Sequence, residues 1–173
     1  GTGMLWVDSE IIDRFRPPGI DATSAGWTAA AGLDLQPGMS RFEEYEVNYA
    51  AMVGLASVAN QARTLGMVSI EARVSQLADD LRTGLAAVPS VSVTDLAARR
   101  SAIVTFRVDG VAPAAVVAAA ARDGIVINDS TAVWAALDMD AKGLAHVVRA
   151  SPHYFNTHEE LDQLIACVAR LAR

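Results

Sequence analysis

Arg149 ends an apolar run in the stretch "VVRASPHYFNTHEEL", and the residues around it suit anion recognition. Val147 and Val148 are β-branched and fit a short packed strand. Further on, Thr157 and Glu160 have the S/T-x-x-E spacing, in which hydroxyl and carboxylate satisfy free backbone amides at a helix start. A guanidinium held between a strand end and a capped helix is a planar fork that matches a carboxylate or a phosphate. The same side chain could instead pair with a nearby Asp or Glu, the commoner fate of an arginine. His153 sits in the turn beside it, either as a structural residue or as a second contact to the same anion.

Other chemistry-bearing residues offer less. His146, His153 and His158 stand in no metal-ligand spacing with acidic or sulfur partners, so no metal site is expected. Glu43, Glu44 and Glu46 read as favourable negative charge before a helix rather than as paired catalytic carboxylates. Cys167 is the only cysteine, which excludes an internal disulfide; among Leu164, Val168 and Leu171 it reads as an inert core thiol. Trp134 and Met139 read as packing residues. The opening "GTG" is too short to cradle a phosphate. Lys142, in "LDMDAKGL", is the only lysine and reads as an exposed loop or helix-end residue.

The 173 residues are 52% hydrophobic, enough for a core, and carry a formal net charge of -6. With a pI near 4.9 and mean hydropathy of +0.26, the chain lacks the basic face of a nucleic-acid binder. The longest apolar run, near "VAPAAVVAAAA", is too short to span a bilayer. No charged segment followed by an apolar one opens the chain, so a cytoplasmic location without membrane association is expected.

The elements that must position Arg149 follow from periodicity. "MLWV" reads as a strand, residues 9–15 as a short amphipathic segment, and residues 16–41 as a long irregular region rich in Pro and Gly. Residues 47–65 carry apolar side chains at helical spacing, with Asn48 as a possible cap and Gly66 as the stop. A second helix over residues 67–88 places Ile70, Val74, Leu77, Leu81 and Leu85 on one face, before Pro89. Strands are expected at 91–93, 101–108, 125–127 ("IVI") and 146–151. Helices are expected from Pro113 to Gly124 and from Thr157 to Leu171, while residues 132–143 fit no pattern. The order from Val91 onward is that of an α+β lobe with helices against one face of a small sheet.

Four stretches, "GTGMLWV", "RFEEYEVNYAAMVGL", "SAIVTFRVDG" and "VVRASPHYFNTHEELDQL", together resemble the C-terminal part of class V aminotransferase-fold enzymes. These are the fold-type I pyridoxal-phosphate proteins that include cysteine desulfurases, isopenicillin N epimerase-like proteins and C–S lyases. The resemblance implies an α/β architecture: residues 1–66 as the end of a large cofactor-binding domain, and residues 67–173 as an α+β C-terminal small domain with a small mixed sheet covered by helices. It implies pyridoxal 5'-phosphate as cofactor, a small amino-acid substrate and a homodimer. It also implies that Arg149 receives the substrate's α-carboxylate, with His153, Asn128 and Ser130 shaping the substrate side and Asn48 as a weak cofactor contact.

The departures carry information too. In this family "GTG" follows the lysine that joins the cofactor's aldehyde as a Schiff base, through a "K-x-x-x-G-P-R-G" run absent here; Lys142 lies too far along to replace it. The resemblance therefore implies a fragment with no catalytic residue of its own, inactive alone. Desulfurases carry a nucleophilic cysteine in the loop that here reads "VINDSTAVWAALD", which has none. Glu46 stands where a desulfurase threonine reaches phosphate, and a carboxylate would repel that group. "FEEYEVNYA" is similar to epimerase-like members and to the C–S lyases of ergothioneine biosynthesis, so a lyase is expected first and an aminotransferase or epimerase second. A freestanding α+β module that binds a small anion or a partner is the remaining alternative.

Overall fold

The computed structural model describes residues 2–95 and 100–172. It divides into two compact units, Gly1–Thr64 and Leu65–Arg173. Of the expected glycine turn, Gly1 lies outside the described residues.

In the first unit, "MLWV" is not a strand: no partner among the described residues pairs with it, and Met4 and Trp6 are about four-fifths exposed. A single 3-10 turn, Ile12–Arg14, buries Ile12. The region expected to be irregular contains a hairpin, β1 (Ala25–Thr28) with β2 (Gly32–Leu35), paired antiparallel. Gly32 has φ 72, the left-handed conformation that closes its turn. Side chains organise the rest. Asp21 accepts from the amides of Thr23, Ser24 and Tyr45, and these bonds, Tyr45 first, hold its carboxyl below the usual value. Arg41, buried, binds Asp13 at 2.5 Å and the Gln36 carbonyl at 3.2 Å. Helix α1 (Tyr49–Leu65) begins as expected, with Asn48 Oδ1 accepting from the Ala51 amide at 3.0 Å. None of its residues is buried, so its apolar side chains stand uncovered in this unit.

The second unit opens with α2 (Met67–Ala86), then β3 (Val91–Val93) and β4 (Val104–Val108). Next come α3 (Pro113–Arg122), β5 (Asn128–Thr131), α4 (Ala136–Lys142), β6 (His146–Ala150) and α5 (His158–Leu171). Helices α2, α3 and α5 cover one face of the sheet. The core joins Leu77, Leu81 and Leu85 of α2 to Phe106 of β4, Val116 of α3, Val148 of β6 and Leu164 and Val168 of α5. Gly84 permits a close approach of α2 and α5, since a Cβ there would lie 2.3 Å from Ile165 Cδ1. The Thr157–Glu160 capping box is present as expected.

The sheet order is β3-β4-β6-β5, and every described pairing is antiparallel, where a mixed sheet was expected. Helix α3 does carry the chain from β4 to a strand running the same way. Strand β6 inserts between the two, however, so no parallel pair forms; this is a split β-α-β arrangement. The strand also lies later than expected. "IVI" pairs with no strand among the described residues: Gly124 (φ 76) and the Ile125 amide, bonded to the Ala120 carbonyl at 2.9 Å, terminate α3 instead. Ile125 and Ile127 pack against the core while Val126 is 96% exposed. The polar "NDST" forms the edge strand β5, where polar side chains blunt an open ladder.

Candidate functional site

Strand alternation divides β4, β5 and β6 into two faces. Val104, Phe106, Val148 and Ala150 point into the core, so Thr105 and Arg149 must point to the opposite face. Register places Thr105 beside Arg149 on one flank and Asn128 on the other. The row extends to Thr94, whose amide bonds the Thr105 carbonyl at 2.7 Å and whose hydroxyl bonds the Thr105 hydroxyl at 2.7 Å.

A cleft of about 420 Å³ opens on this face, and Arg149 lines it. One rim is built by Thr94, Asp95, Arg100, Ser101 and Ile103, and the other by Trp134, Asp138 and Lys142. Met139, Leu144 and Val147 give it an apolar patch, and Ser130 a hydroxyl. Met139 is buried, as expected of a packing residue, but Trp134 is 83% exposed and faces the cleft. The cause is α4, the segment without a pattern: a short helix closed by Gly143 (φ 64), with Trp134 in the 3-10 turn before it.

The charges of the cleft are unequally engaged. Lys142 binds Asp138 at 2.8 Å. Asp95 is held by Arg82, which also binds Asp79 and the carbonyls of Ser101 and Ile103. Arg149 is exposed and has no hydrogen bond or ion pair among the described residues. A guanidinium aimed into a cleft with all its donors open can grip a carboxylate bidentately.

The structure thus brings Arg149 and Ser130 together. Asn128 neighbours Arg149 in register but does not line the cleft, and its side chain accepts from the Asp129 amide at 3.0 Å. His153 lies outside the cleft too, its ring against Tyr154 and Phe155 and its amide bonded to Asn156 Oδ1 at 2.8 Å. Asn48 belongs to the other unit, where its amide oxygen caps α1 and Glu43, Glu44 and Glu46 line the same groove. That acidic setting is unfavourable to a phosphate. Cys167 is 1% exposed, and burial, then a bond to Asp123, pushes its thiol up.

Sequence reasoning did not find Arg82. Its position on the apolar face of α2 was the available signal, because a charge is buried there only when its donors are satisfied. No group of three or more His, Cys, Asp or Glu among the described residues is placed to hold a metal. Among the described residues, no helix is long and apolar enough to cross a membrane.

The sequence matches the family described as aminotransferase class-V over residues 1–164. It is 26% identical to a cysteine desulfurase of Synechococcus elongatus, over 99% of this chain and 27% of that protein. It is 33% identical to a probable hercynylcysteine sulfoxide lyase of Mycobacterium tuberculosis, over 94% of this chain and 38% of that protein. The apo structure of a cysteine desulfurase from Thermococcus onnurineus superposes with a TM-score of 0.82 at 25% identity, covering 96% of this chain and 42% of that one. The chain spans well under half the length of these relatives.

Proposed function

Since the chain belongs to the aminotransferase class-V family, we propose that it supplies the carboxylate-binding lobe of a pyridoxal-phosphate-dependent enzyme that cleaves a C–S bond in an amino acid. The observation that carries this reading is Arg149, open and unpaired among the described residues on the floor of a cleft. Pyridoxal phosphate, when bound, supplies the electron sink that makes such a bond labile. The residues of this chain provide the substrate's acid group with a seat, and Ser130 and Asn128 flank that seat on the same face. His153 takes a role in the turn that ends β6.

Covalent attachment of the cofactor does not fit these residues. A Schiff base needs a free lysine amine, and Lys142, the only lysine, is engaged by Asp138 at 2.8 Å. By itself the chain is therefore inactive. Asn48 would meet a cofactor phosphate in a groove that Glu43, Glu44 and Glu46 also line, where their negative charge opposes it.

Lysis is favoured over desulfuration by the thiol chemistry. Persulfide transfer needs an accessible thiolate, and the single cysteine is buried with its thiol pushed up. Similarity to the hercynylcysteine sulfoxide lyase points the same way, toward a reaction of the kind used in ergothioneine biosynthesis. A reducing cytoplasm suits a chain whose one cysteine stays a thiol. A homodimer is part of the proposal, because Val53 and Val58 of α1, at 71% and 61% exposure, need a cover.

The test is Arg149→Ala in the holoenzyme. Loss of a charge-assisted pair is expected to raise KM for the amino acid roughly tenfold to a hundredfold, with the melting temperature unchanged. An unchanged KM with lowered stability would assign Arg149 a structural role instead.

A further inference from the structure

Resting on the carboxylate-binding role of Arg149, we propose that the substrate is an amino acid with a second acidic group in its side chain, and that Arg100 binds that group.

Three cations and two carboxylates line the cleft: Arg100, Lys142 and Arg149 against Asp95 and Asp138. Asp138 pairs with Lys142 and Asp95 Oδ2 with Arg82, while Asp95 Oδ1 is buried without a hydrogen-bond partner among the described residues. Among the described residues Arg100 has one loose ion contact, 3.8 Å from Asp79, and Arg82 holds the same Asp79 oxygen at 3.0 Å. Its side chain is 47% exposed. Among the described residues, two guanidiniums are thus left open in one cleft, on a chain whose net charge is -6. A local positive field inside an acidic protein attracts and orients anions.

Arg149 lies on the sheet floor, and Arg100 on the rim formed by the chain leading into β4. The two positions are linked by a continuous polar path. Thr105 neighbours Arg149 in register, Thr94 bonds Thr105, and Arg82 ties Asp95, beside Thr94, to the Ser101 carbonyl. The opposite rim has its cation neutralised and exposes Trp134, so it suits an apolar portion of the ligand. An α-carboxylate on Arg149 therefore leaves a distal acid to turn toward Arg100.

The test is titration of the 173-residue chain, followed through its arginine Nε–H resonances, with L-glutamate against L-glutamine and L-aspartate against L-asparagine. In each pair the shape is conserved and only the distal charge differs. The acidic member should shift both Arg149 and Arg100 and bind about tenfold more tightly, one charge-assisted bond's worth. Arg100→Gln should bring that preference close to one, and Arg100→Lys should keep part of it, since charge survives without the fork. If acid and amide bind equally through Arg149, or Arg100→Gln leaves the preference intact, the inference is wrong while the carboxylate seat stands. If no ligand shifts Arg149, the proposed function itself fails, and this inference with it.

Discussion

Arg82 and Asp95 form a fork-on-carboxylate pair between α2 and the end of β3: Arg82 Nε lies 2.7 Å and Nη2 2.6 Å from Asp95 Oδ2. The arginine is 5% exposed. The same guanidinium holds Asp79 and the carbonyls of Ser101 and Ile103, so one side chain fixes both strand ends that make a rim of the cleft. Arg82 does not itself line the cleft, and its part is to position Asp95, Ser101 and Ile103, which do.

Replacing it alone should be costly. Arg82→Met strands the Asp95 carboxylate with little access to water, and breaking a buried pair on one side costs about 3–5 kcal/mol. Urea unfolding measures this directly. The double variant Arg82→Met with Asp95→Leu should recover much of the loss, because neither charge then remains buried alone. Equal stability of the two variants would show that the pair is not the organising element.

Acid should loosen the segment that follows Arg149. Glu160 Oε2 accepts from the Asn156 side chain and from the Thr157 amide, both at 3.0 Å, and these bonds, Asn156 first, hold its carboxyl below the ordinary 4.5. A group with a depressed folded value stabilises the fold above its unfolded value, and that stability is lost as pH falls through the folded value. The capping box should thus be fully effective above pH 4.5 and weaken below it. Melting curves of the native chain and of Glu160→Gln, recorded over a pH series, should converge as the pH falls. A constant gap between them would contradict the assignment.

Lys142 should be a poor partner for an aldehyde. Incubating the chain with pyridoxal phosphate, reducing with borohydride and mapping the modified peptides should give no specific adduct on Lys142, because Asp138 engages its ammonium. Asp138→Asn, which removes that partner, should increase labelling. A stoichiometric adduct on the unmodified chain would reverse the conclusion that this lobe carries no cofactor anchor.

What the sequence determined by itself is local. The Thr157–Glu160 box, the Asn48 cap and the apolar face of α2 all appear where residue spacing places them, because their interactions close within three or four residues of chain. The valines of "HVVRA" likewise marked β6. Pairing was not local and was not legible. "IVI" has the better strand composition, yet "NDST" takes the ladder, since membership depends on which residues reach the free edge of β6 rather than on propensity. The hairpin from Ala25 to Leu35, the helix α4 and the buried fork of Arg82 were hidden for the same reason: each is decided by partners distant in sequence. Tertiary structure alone turned Arg149 from a conspicuous residue into an open one. Neighbouring strands fix the face on which it stands, and the packing of α2 and α4 assigns Asp95 and Asp138 to other cations.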